Sequence, residues 1–130
     1  MFSDSRATIL GVAAAAATVG VALLLRKALA LDFFGALLGI TAGVYLGFGL
    51  LDGRSKEISI ELAGILFFLV LAVAGLKLWP YALAAGFFLH GFWDAAHHAR
   101  DIQTKMVRWW RPSCMAYDWV VGAFIVAWWR

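Results

Sequence analysis

The residues of this chain that could do chemistry are gathered in one stretch, His90-Gly91-Phe92-Trp93-Asp94-Ala95-Ala96-His97-His98, which holds all 3 of its histidines. Imidazole and carboxylate groups ligate transition-type cations, and imidazole also exchanges protons near neutral pH. With His90 at zero and ~100° per residue, Asp94 lies at about +40°, His97 at about −20°, Asp101 at about +20° and His98 at about +80°. One helical stripe therefore carries His90, Asp94, His97 and Asp101, with His98 on its shoulder. His90/Asp94 and Asp94/His98 are i,i+4 pairs and Asp94/His97 is an i,i+3 pair, so one helix can offer two or three ligands. His90, Asp94 and His98 are the principal candidates and His97 a further one. This donor set suits Zn, Fe, Mn or Cu and does not choose among them.

Such a stripe needs a helix to carry it and neighbours to complete it. The chain has 130 residues, 64% hydrophobic and only 15% charged, against ~25% charged in soluble domains. Its apolar residues run in long blocks, which implies an all-α integral membrane bundle forming a single domain over residues 1–130. The net charge of +3 is no sign of nucleic-acid binding, because the basic residues stand at block ends. A single cysteine, Cys114, excludes an internal disulfide.

Five spans are expected, at about 7–25, 33–51, 58–79, 80–99 and 114–129. The first resembles a signal peptide, with Arg6 before it and Ala28-Leu29-Ala30 after it. Arg26-Lys27 would sit just ahead of the cut, so an uncleaved span is expected. The second carries Gly35, Gly39, Gly43 and Gly47 on one face. Small residues at that spacing drive helix association in lipid, within the chain, in a homo-oligomer or in a larger complex. Pro80 opens the fourth span at a first-turn position. Between Arg100 and Arg111 a short interfacial helix is expected, followed by a break at Pro112 with Ser113 as N-cap. The fifth span is the shortest, and four spans plus a surface-lying C-terminal helix is the alternative.

With five spans, Arg6, Arg54, Lys56, Arg100, Lys105, Arg108 and Arg111 fall on one side, against Arg26, Lys27, Lys77 and Arg130 on the other. That asymmetry places the N-terminus in the cytoplasm, in a bacterial inner membrane. It also brings Asp52, Glu61, the His/Asp stripe and Asp118 to one depth, in the cytoplasmic leaflet. Each has a local alternative. Glu61 and Asp118 could serve the dipole of a helix N-terminus, and Asp52-Gly53 could be a turn.

The function that follows is a metal-binding membrane protein. His97, Asp52, Glu61 and Asp118 would be further ligands, orienters of the ligands or a general base. As an enzyme the protein would act on a lipid-like substrate through a metal-activated water. Two other readings stay open: a non-catalytic scaffold or accessory subunit, and a proton or solute pathway.

The H-G-x-W-D-x-x-H-H string, with Gly47, Asp52-Gly53, Pro112 and Tyr117-Asp118-Trp119, resembles a family of small bacterial multi-pass proteins of uncharacterised function. The likeness implies a family built around these polar positions and assigns no activity. Asp94-Ala95-Ala96-His97-His98 is more loosely similar to the histidine boxes of membrane fatty-acid hydroxylases, with aspartate at the leading position. The zinc ligation across helices in alkaline ceramidases is similar in chemistry.

Overall fold

The computed structural model describes residues 4–129. Five helices cover them: α1 (Asp4–Leu24), α2 (Lys27–Asp52), α3 (Ser55–Lys77), α4 (Pro80–His98) and α5 (Trp110–Trp128). At ~1.5 Å per residue the first three reach about 32, 39 and 35 Å, enough to cross a ~30 Å hydrocarbon core. These three are long and apolar enough to span a membrane. The other two have 19 residues each and carry His90, Asp94, His97 and Asp118. They pack against the spanning helices and turn those groups inward.

The helices form a ring in the order α1, α5, α4, α3, α2, with α2 also touching α4 across the middle. Burial is inverted relative to a soluble protein. Leu24, Leu51 and Val70 are exposed, whereas His90, Asp94, His97 and Asp118 are fully buried. That pattern is expected where lipid, not water, is the solvent, because apolar groups lose nothing by facing it.

Tight turns hold the ring together. Only Gly53 and Arg54 separate α2 from α3. Gly53 sits at φ 81° and donates its N–H to the Gly49 carbonyl at 3.1 Å. The left-handed cap position is one that glycine takes without steric cost. The glycine face of α2 is met from within the chain. Side chains from α3 lie against it, Leu76 at Gly35, Leu69 at Gly39 and Ile65 at Gly43, while Gly47 has open space.

Helix ends depart from expectation in instructive ways. Helix α2 begins at Lys27, ahead of Phe33, since a helix can extend beyond the apolar core. No interfacial helix forms between Arg100 and Arg111; the chain there is irregular up to Trp109. Its backbone is held elsewhere, because Arg54 Nη2 donates to the Gln103 carbonyl at 2.8 Å and Lys105 N–H donates to Asp52 Oδ2 at 2.8 Å. Helix α5 starts at Trp110, so Pro112 lies inside its first turn and Ser113 is not its N-cap. A proline costs nothing there, because the first four N–H groups of a helix have no intrahelical acceptor. Helix α5 is packed against α4 and α1, and it is not among the three helices long and apolar enough to cross a membrane. Arg130, counted in the charge asymmetry, lies outside the described residues.

Candidate metal centre

Helix α4 presents the first part of the stripe much as its angles require, but it ends at His98, so Asp101 lies beyond it and is exposed. His90, Asp94 and His97 are completely buried. His98, rotated furthest, is at the periphery, where its Nε2 lies 3.2 Å from Asp4 Oδ2 at the start of α1. The interior positions then draw partners from three other helices.

From α5, Asp118 Oδ2 lies 2.7 Å from His90 Nδ1. Asp94 Oδ1 is 3.7 Å from the same nitrogen and accepts a short hydrogen bond from the Tyr45 hydroxyl on α2. One ligand atom each from His90, Asp94 and Asp118 lie within 4.8 Å of one another, so this group could hold a metal ion. Each residue also keeps a spare donor atom. His90 Nε2, Asp94 Oδ2 and Asp118 Oδ1 are buried and make no hydrogen bond among the described residues. Buried polar atoms are nearly always satisfied, so three in one cluster call for an explanation.

A second cluster adjoins the first. His97 Nδ1 lies 2.7 Å from the Trp93 carbonyl, and its Nε2 lies 2.6 Å from Glu61 Oε2 on α3. A carbonyl can only accept, so Nδ1 carries a proton. The bond between Nε2 and the carboxyl then needs one more, held on His97 or on Glu61. Thr104, from the loop after α4, donates its hydroxyl to the same Glu61 oxygen. The Tyr45 ring lies between the clusters, with centroids 4.5 Å from His97 and 5.4 Å from His90.

The expected site residues thus divide. His90, Asp94 and Asp118 come together; Glu61 and His97 pair beside them; His98 and Asp52 stand apart. Asp52 binds Arg54, with Arg54 Nε 2.6 Å from its Oδ1. The Arg54 side chain and then the Lys105 N–H hold the Asp52 carboxyl well below the usual carboxylate range, and Asp52 in turn raises Arg54.

Because the folded pKa of Asp52 is depressed, its contribution is complete above the ordinary carboxylate pKa. It is lost only as pH falls through the lowered value. We therefore expect protease cleavage at Lys105 to be unchanged between pH 8 and pH 5 and markedly faster in Asp52→Asn at either pH. Limited trypsinolysis in detergent at neutral pH, with a pH-tolerant protease for the acid arm, measures both.

Tyr45 and Thr104 are the participants that spacing did not identify as site residues. Tyr45 gave a faint signal, as a lone hydroxyl within the apolar run Gly43-Val44-Tyr45-Leu46. Thr104 gave none, since its role depends on how an irregular loop folds back over α3.

Fold and site together define a helical membrane protein with a buried imidazole–carboxylate centre. The chain belongs to a family of unknown function (DUF6010), matched over residues 6–129. This agrees with the expected membership of an uncharacterised family. No curated protein and no solved structure matches it.

Proposed function

We propose that the protein binds a divalent transition-type cation through His90, Asp94 and Asp118, in the cytoplasmic leaflet of a bacterial inner membrane. The observation that carries this is the trio of buried ligand residues with atoms within 4.8 Å of one another, each also retaining an unbonded donor. Charge supports it. Ionised together, the two carboxyl groups beside one imidazole would put two negative charges in a low-dielectric interior, a costly arrangement without a cation to neutralise them. A divalent ion makes the set electroneutral. Tyr45 would hold Asp94 in place through its hydroxyl, as the outer partners of metal ligands commonly do.

The same reading makes the protein a metal-dependent enzyme for a lipid-like substrate. A cavity of about 440 Å³ opens between α3 and α4, lined by residues including Gly64, Phe67, Phe68, Leu89 and Trp93. Phe68 touches the His90 ring at 4.7 Å between centroids, and Trp93 touches His97 at 5.4 Å. An acyl chain in that groove would lie one aromatic layer from both clusters. When bound, the ion would supply Lewis acidity and a water of lowered pKa. Glu61 and His97, sharing one proton, are then the acid–base pair.

Cobalt(II) tests the site directly, because its visible absorption intensifies in low-coordinate sites. Titration of metal-stripped protein is expected to saturate at one ion per chain, with the bands lost in His90→Gln. Equal spectra for the two proteins would reject the site.

A further inference from the structure

Beyond the metal centre, the structure assigns a second binding site, for a phosphate-type anion, in the cavity formed where the α4–α5 loop folds over the bundle end. The cavity measures about 170 Å³, and its lining includes Arg100, Gln103, Thr104, Lys105 and Arg111. Its lining has three cations and no acid. The Arg100 and Lys105 side chains form no ion pair or hydrogen bond among the described residues. Arg111 donates from Nη1 to the His97 carbonyl at 3.2 Å, while its buried Nε has no hydrogen-bond partner there. The rim is braced from outside by the Asp52 and Arg54 bonds to the Lys105 and Gln103 backbones. The cup is small and cationic, with Arg100 and Lys105 exposed at its mouth and Arg111 half-buried at its side. Its size suits a headgroup or free anion and excludes a whole lipid.

Arg100 is an independent sign. It takes φ 70°, the only non-glycine residue described with positive φ. Its N–H bonds the His97 carbonyl and the Asp101 N–H bonds the Ala96 carbonyl, the helix-ending pattern in which glycine is favoured at this position. Arginine pays a steric cost there. What it adds over glycine is a guanidinium at the cavity mouth, and guanidinium is suited to bidentate phosphate recognition.

That substitution separates binding from folding. Arg100→Gly relieves the backbone and removes the cation, so the variant should melt at or above the wild-type temperature. Its affinity for a water-soluble, short-chain phosphatidic acid should fall about tenfold, the scale of one charge-assisted contact. Lys105→Gln should behave alike, and Lys77→Gln, at the opposite end of the bundle, should not. Calorimetric titration in neutral detergent, with short-chain phosphatidic acid and inorganic phosphate in separate arms, gives the readout. Saturable binding of the lipid alone identifies a headgroup site; comparable binding of inorganic phosphate identifies a free-anion site. No saturable binding in either arm, or equal binding by wild type and Arg100→Gly, overturns the inference. Metal-stripped protein should bind the anion as well, so failure of the metal reading would leave this result standing.

Discussion

Asp118→Asn is expected to change sign of effect with the metal. Asparagine keeps the size of the side chain and an oxygen that can accept from His90 Nδ1, now 2.7 Å from Asp118 Oδ2. What it removes is one of the two buried groups that can take a negative charge. In the presence of a chelator the variant should therefore melt at or above the wild-type temperature, because a carboxyl whose ionisation the interior opposes has been replaced by a neutral group of the same size. With a divalent ion at a hundred times its Kd, the wild type gains about 2.7 kcal/mol, roughly 10 °C for a chain of this size. The variant, short of a ligand and a charge, should gain little. A purely structural role for Asp118 predicts the variant to be the less stable protein under both conditions. Thermal unfolding in detergent, with and without chelator, distinguishes the two.

The second large effect comes from a residue that touches no ligand. Gly91 lets α4 and α5 approach so closely that a Cβ would stand 2.2 Å from Trp119 Nε1 and 2.4 Å from its Cδ1. The indole cannot simply swing away, since its N–H donates to the Phe88 carbonyl at 3.2 Å and its ring packs on Phe92. Gly91→Ala must separate the helices or displace the indole, at a cost of about 1–3 kcal/mol for overpacking. Separation also lengthens the His90–Asp118 contact, which joins the same two helices. The variant should lose several degrees of melting temperature and at least tenfold in metal affinity. Trp119→Leu in the same chain should restore much of both, because it removes the obstructing ring. Failure of that second substitution to restore metal affinity would show that the glycine acts by another route.

These cases show what could be read from the sequence and what could not. The inward stripe on α4 follows from helical geometry, and His90 and Asp94 are buried as their angles require; His97, which on its own reads as a headgroup-level residue facing water, is buried as well. His98 was harder, because its angle lies between inside and outside. The nearby carboxylate of Asp4 holds it at the rim. Asp118 was legible as to depth but not direction, since depth follows from counting spans and direction from how α5 packs on α4.

Asp52 shows the limit differently. It lies at the expected end of the bundle, but Arg54, two residues away, captures it before α4 can. The loop after α4 was the least legible segment. Its Met, Val and Trp content suggested an amphipathic helix, but its shape comes from backbone bonds to Asp52 and Arg54 and from the αL turn at Arg100. The bonds to Asp52 and Arg54 connect positions far apart in the chain, and no local pattern encodes them.

The central claim is that buried imidazole and carboxyl groups from α4 and α5 hold an ion. Elemental analysis of protein purified from membranes without a polyhistidine tag tests it most directly, with a His90→Ala, Asp94→Ala, Asp118→Ala triple variant as control. The account predicts close to one transition-metal ion per wild-type chain and almost none in the variant. Equal, negligible metal in both folded proteins would contradict it.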